Sequence, residues 1–154
     1  MERAKALDRM MALCSRREYC RKEILAKLAR LEAEDAPGIV ETLCRERYID
    51  ELRYATAFAR DKSSLQGWGS LKIRLALQRK GVGADDIAAA LSGIDGPAAQ
   101  ARLEQILGTK WKTLQRETDP AKREAKFFRY ALGRGYGYQE IKRIYDQLRR
   151  DQDA

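Results

Sequence analysis

The residues that could carry chemistry in this chain are few, and an absence decides most of their use. Among 154 residues there is no histidine, which removes Ser-His-Asp and Cys-His nucleophilic catalysis and the commonest general base near neutral pH. Three cysteines, Cys14, Cys20 and Cys44, lie in apolar-periodic stretches with no histidine to complete a metal shell, so buried, reduced thiols are expected. The acid pairs Asp50-Glu51 and Asp85-Asp86 open helical segments, where carboxylates favour the positive end of the helix dipole. Two glycine clusters, Gly67-Trp68-Gly69-Ser70 and Gly133-Arg134-Gly135-Tyr136-Gly137, could wrap a phosphate at a helix N-terminus. Neither has the spacing or the preceding strand of a phosphate loop, so both are read as helix stops with positive φ. The sequence assigns no catalytic residue, no cofactor and no metal.

What remains is charge. Thirty-one Lys and Arg stand against 23 Asp and Glu, a net of +8, which attracts polyanions or acidic protein surfaces from about a Debye length away. Residues 16–30 hold six bases against two acids, residues 60–80 six against one, and residues 122–150 nine against three. By contrast, 32–51 and 83–96 are acidic. Lys122, Lys126 and Arg129 fall at i, i+4, i+7, one face of a helix whose other side offers Phe127 and Ala131 to a core. The partner-binding candidates, chosen by charge and helix face, are Lys72, Arg74, Arg79, Lys80, Lys122, Arg123, Lys126, Arg129 and Arg134. Trp68, Trp111, Tyr136 and Tyr138 could stack on bases, but in helical repeats such rings more often fill gaps between helices.

The elements that must position these cations are helices. Only three prolines and the turn glycines interrupt a chain rich in Ala, Leu, Lys, Arg and Glu. Leu7, Met10, Met11 and Cys14 repeat at helical spacing, as do Ile141, Ile144, Tyr145 and Leu148. Between them the pattern predicts helices near 17–31, 37–47, 50–62, 70–80, 85–92, 97–115 and 120–133, nine in all. One stretch is ambiguous: Leu71 to Leu75 alternates apolar and basic residues as a strand would, although Ser70 and Lys80-Gly81 bound it as a helix.

An internal repeat organises the nine. Gly81-Val82-Gly83-Ala84-Asp85-Asp86-Ile87 and Gly135-Tyr136-Gly137-Tyr138-Gln139-Glu140-Ile141 share glycine, apolar residue, glycine, two variable positions, acid and isoleucine. Ile73 and Phe127 precede these isoleucines by 14 positions. A looser copy pairs Leu25 with Ile39 and adds Leu43. The expected fold is all-α: three tandem three-helix repeats over 1–48, 49–95 and 96–154, stacked into an elongated, curved molecule because one triplet of about 50 residues buries little core. No apolar run spans a bilayer and the N-terminal segment is too charged for a secretory signal, so a cytoplasmic protein is expected. Without a long apolar heptad seam, a monomer is the default.

These segments resemble the RecX regulatory protein family. The resemblance is carried by Leu13-Cys14-Ser15-Arg16-Arg17-Glu18 with Glu23-Ile24 and Lys27-Leu28, and by Tyr48-Ile49-Asp50-Glu51-Leu52-Arg53-Tyr54-Ala55 with Phe58. Gly69 through Ile73 with Leu77 and Lys80-Gly81-Val82, and Arg134-Gly135-Tyr136, complete it. It extends over residues 13–145, with Cys20 and the acidic 32–38 turn as departures. The resemblance implies tandem three-helix repeats and a regulator that is not an enzyme. It further implies binding to the RecA recombinase filament on single-stranded DNA, with suppression of ATP hydrolysis, strand exchange and co-protease activity. The alternative left open by the residues alone is a non-enzymatic DNA-binding module acting through its basic helices, with weak DNA affinity compatible with either.

Overall fold

The computed structural model describes all 154 residues. Nine α-helices follow one another without a strand: α1 (Arg3–Cys14), α2 (Arg21–Arg30), α3 (Ala36–Arg45), α4 (Glu51–Ser64), α5 (Ser70–Arg79), α6 (Ala84–Ser92), α7 (Gly96–Leu114), α8 (Pro120–Gly133) and α9 (Tyr138–Asp153). No helix is long and apolar enough to cross a membrane. The stretch that alternates like a strand is helical, and the reason for the alternation is visible. Ile73 and Leu77 are fully buried while Leu71 and Leu75 lie exposed, so α5 is apolar on two opposite faces.

The helix expected over 17–31 begins only at Arg21. Its start is set by Glu23, whose carboxylate accepts the Cys20 backbone N–H at 3.0 Å, satisfying one orphan donor of the first turn. Cysteine is not a usual N-cap residue, and the start is correspondingly hard to read in sequence. The looser repeat is corrected by the connection between α2 and α3, residues 31–35, which is one residue longer than those at 80–83 and 134–137. Leu25 is 40% exposed, and Ile24 with Leu28 takes the core positions. Elsewhere the repeat motif has a plain physical meaning. Its first glycine ends a helix in the left-handed region, with φ +78° at Gly81 and +96° at Gly135. Its second is the extended N-cap of the next helix, and in α9 the acid three places on accepts the Gly137 N–H at 2.9 Å.

The chain divides into two compact units. The first comprises Met1–Phe58 and Ala76–Gly93, the second Ala59–Leu75 and Ile94–Ala154. In the first unit α3 packs on α1 and α2 around Ala6, Met10, Ile24, Leu28, Ile39, Val40, Leu43 and Ile49. Cys20 is buried there; Cys14 and Cys44, expected inside, are only half-buried, and all three are free thiols. Burial pushes each thiol above its ordinary pKa. In the second unit α7, α8 and α9 pack together around Leu103, Leu107, Leu114, Phe127, Ala131, Ile141, Ile144 and Tyr145. Trp111 closes this core, meeting Phe127 and Tyr145 edge-on at 6.1 and 5.6 Å between ring centres. The expected place of Trp111 as a gap-filler is therefore the observed one.

Candidate partner-binding surface

The charge of the molecule is not shared between the two units. The first holds 14 bases and 13 acids, the second 17 bases and 10 acids, so nearly the whole net charge of +8 sits in the second. Within the first unit six of the 14 bases lie in ion pairs. Arg3 meets Asp35 at 3.1 Å, Arg47 meets Asp50 at 3.3 Å and Lys80 meets Glu23 at 3.3 Å, while Arg53 pairs with Glu18. Burial pushes the Glu23 carboxyl up, but the Cys20 groups and the Lys80 ammonium outweigh it and hold the pKa below the ordinary value.

In the second unit the turn before α5 and the turn before α9 interlock. The Gly69 N–H donates to the Arg134 carbonyl at 2.7 Å and the Leu71 N–H to the Gly135 carbonyl at 3.0 Å. The Tyr136 hydroxyl donates to the Gly67 carbonyl at 2.6 Å, and the Arg134 guanidinium donates to the Gln66 carbonyl. A Cβ on Gly69 would run into the Gly135 peptide, and one on Gly135 into Lys72, so these backbones meet only as glycines. The sequence reading of both clusters as helix stops holds at Gly67 and Gly135, which have positive φ. Their reciprocal docking is an addition that no local pattern announces. Burial raises the Tyr136 phenol above its usual pKa, and the ring is thus structural rather than free to stack.

This lock fixes an array of cations held over rings. Lys62 and Lys72 lie with their Nζ atoms 4.7 and 4.4 Å from the Trp68 ring centre. Lys110 and Arg134 approach Tyr130 at 4.7 and 5.7 Å. An aromatic face orients a cation without cancelling its charge, so Lys72 and Lys110 are positioned yet keep their full field.

The nine predicted partner-binding residues divide by what they touch. Lys72 belongs to the array just described, and Arg134 serves both the lock and the Tyr130 ring. Arg74, Lys122 and Arg129 are exposed, and none takes part in an ion pair. The α8 face is arranged as its spacing predicts: Phe127 and Ala131 are fully buried behind Lys122, Lys126 and Arg129. Lys126, however, is paired with Glu117 at 2.9 Å, and that hydrogen bond draws the Glu117 pKa down. Arg123 points away from this stripe, donating to the Gln115 side chain at 3.2 Å beside a cavity of about 490 Å³ that Trp111, Tyr145 and Arg149 also line. Arg79 and Lys80 fall in the first unit, where Lys80 is held by Glu23 and the Arg79 carbonyl accepts from Lys22 at 2.8 Å. Charge and helix face thus locate the cationic helices, but which cations keep their charge uncancelled depends on partners distant in sequence. The reading passed over Lys62 and Lys110 as partner-binding candidates, whose signal would have been a lysine near an aromatic, and the exposed Leu71 and Leu75, whose signal was the two-faced apolar pattern itself.

The comparisons with known proteins agree on one family. Residues 50–91 match the family model described as RecX, second three-helix domain. "Regulatory protein RecX" of Prosthecochloris aestuarii is 30% identical over 147 residues, covering 94% of this chain and 93% of that one. The protein of the same name from Clostridium botulinum strain Alaska E43 is 35% identical over 127 residues. The chain spans only 58% of that relative's length, and 62% of the Xanthomonas campestris one. The fold is similar to that of the crystal structure of RecX from Lactobacillus salivarius, with a TM-score of 0.80 at 20% identity over 94% of this chain and 95% of that one. A second crystal structure, of regulatory protein RecX, superposes with a TM-score of 0.83 at 23% identity, over 94% and 71%.

Proposed function

We propose that this chain, which belongs to the RecX family of regulatory proteins, binds the RecA recombinase filament on single-stranded DNA and restrains it. The restraint falls on ATP hydrolysis, strand exchange and co-protease activity, and so on recombination and repair. It acts as a monomer in the cytoplasm, without catalysis of its own. Its nine helices are read as three repeats over 1–48, 49–95 and 96–154. The observation that carries the reading is the surplus of 17 bases over 10 acids in the second unit. Such a surface suits a filament of protein and phosphate, which offers many weak, regularly repeated anionic contacts. Lys72, Arg74, Lys122 and Arg129 are its principal contacts, since their charges are not cancelled within the chain.

The test is co-sedimentation with recombinase filaments assembled on poly(dT) with a slowly hydrolysed nucleotide, beside poly(dT) alone, at low and near-physiological salt. Retention by the filament that survives the higher salt, where bare DNA releases the protein, is the expected result. Equal retention by both, lost together as salt rises, would favour a DNA-binding module, because phosphate attraction alone is steeply salt-dependent.

A further inference from the structure

Helix α5 carries more apolar surface than its own fold uses. Ile73 and Leu77 fill the core at full burial, yet Leu71 and Leu75, one turn apart on the opposite side, remain 51% and 46% exposed. A helix apolar on two faces needs something on each. At 100° per residue, Lys72 and Arg74 lie about 80° to either side of the line through the two leucines, so the ridge is apolar along its crest and cationic on both flanks. Lys72 is anchored over the Trp68 ring at 4.4 Å, Arg74 is exposed, and neither meets a carboxylate. The start of α5 is itself held by the lock, through the Gly69 and Leu71 N–H groups. The ridge is therefore presented on a fixed backbone.

We infer that the Leu71–Leu75 ridge is the seat of a protein segment with an apolar centre and acidic flanks, and that on the filament this segment belongs to the recombinase. This rests on the filament reading above and names its contact chemistry. Three occupants compete for such a face. A phosphate backbone would engage Lys72 and Arg74 but leave two leucines in water, gaining nothing from them. A second copy of this chain placed ridge to ridge would bring cations against cations. An apolar segment flanked by carboxylates uses both features at once, with the leucines as the buried anchor and the cations as the rim.

The double variant L71Q/L75Q tests this, since glutamine keeps helix propensity and charge at exposed positions. Wild type and variant are titrated against filaments on poly(dT) and against poly(dT) alone, with sedimentation velocity run on each protein by itself. The expected result is about a tenfold loss of affinity for the filament, unchanged affinity for poly(dT), unchanged helicity and monomers throughout. Equal filament binding by variant and wild type would overturn the ridge assignment while leaving the filament reading in place. Wild type that binds the filament no better than poly(dT) would overturn both. Concentration-dependent association of wild type, abolished in the variant, would assign the ridge to a second copy of the chain and overturn the partner named here.

Discussion

In the unit of Met1–Phe58 and Ala76–Gly93, Arg3, Arg47, Arg53 and Lys80 each face a carboxylate. In the unit of Ala59–Leu75 and Ile94–Ala154, Lys72 and Lys110 face aromatic rings and Arg134 faces a carbonyl as well as a ring. Each unit also uses the other device, since Arg17 and Lys27 lie over the Tyr19 ring in the first while Lys126 and Lys142 meet Glu117 and Asp146 in the second, but the balance differs. An ion pair cancels the field it is built from, whereas a ring or a carbonyl leaves the net charge standing. The first unit, with 14 bases and 13 acids, is close to neutral, and the second, with 17 and 10, is strongly basic, so more of its cations are left without a carboxylate to answer them. A charge count along the sequence cannot distinguish these uses, because Arg53 and Lys80 are answered by Glu18 and Glu23, acids 35 and 57 positions away.

The comparison breaks most visibly at the glycine lock of the second unit. G135A forces a side chain into a left-handed backbone and against Lys72, and should cost about 3 kcal/mol or more. Thermal unfolding should show a fall in Tm of roughly 6–12 degrees. Gly83, the second glycine of the motif, has open space around a Cβ and a negative φ, and G83A should therefore move Tm far less. Similar Tm values for the two variants would remove the lock from the account.

A middle-sized effect belongs to the first unit. E23Q loses the anionic partner of Lys80 and weakens the acceptor of the Cys20 N–H, and should cost about 1–2 kcal/mol at pH 7. The sign of its pH dependence follows from the depressed pKa of Glu23. The stabilisation is complete above the unfolded carboxyl value of roughly 4.3 and is lost as pH falls through the lower folded value. Stability curves of wild type and E23Q should accordingly run apart from pH 7 to pH 5 and converge in stronger acid. A gap that persists unchanged into stronger acid, below the folded value, would mean that the pair contributes through packing rather than charge. Filament binding should not change, since Glu23 acts within the first unit.

The smallest effect sharpens the comparison inside the second unit. Lys126 and Glu117 are an exposed pair, and K126Q should leave Tm unchanged within error. It should also weaken filament retention less than K122Q, because the Lys126 charge is already answered. Equal losses would mean that the partner competes successfully with Glu117.

Much of this organisation was legible in the sequence. Helical spacing located all nine helices, and the glycine motif marked the helix stops because positive φ and an extended N-cap are local requirements. Leu25 was misplaced by one position because the connection between α2 and α3, residues 31–35, is one residue longer than those at 80–83 and 134–137, which sets the core position at Ile24. The reciprocal docking of Gly69 and Gly135 lay beyond reach for a different reason. It joins two turns 66 positions apart, and close backbone approach leaves no trace but the glycines themselves. The candidate surface was legible as basic helices, while the sorting of cancelled from uncancelled cations required the tertiary pairs. Leu71 and Leu75 showed in the sequence only as an ambiguity between strand and helix, which the structure resolves into a two-faced helix.

The most direct test of the account compares equal charge reversals in the two units. K122E/R129E reverses two exposed, unpaired cations of the second unit, and K5E/R9E reverses two exposed, unpaired cations on α1 of the first. Both change net charge by the same amount, and affinity for recombinase filaments is measured for each at near-physiological salt. The account predicts a loss of tenfold or more for K122E/R129E and a change within about twofold for K5E/R9E. Equal losses in the two variants would contradict it, because binding would then follow net charge and not the surface on which the charge is left standing.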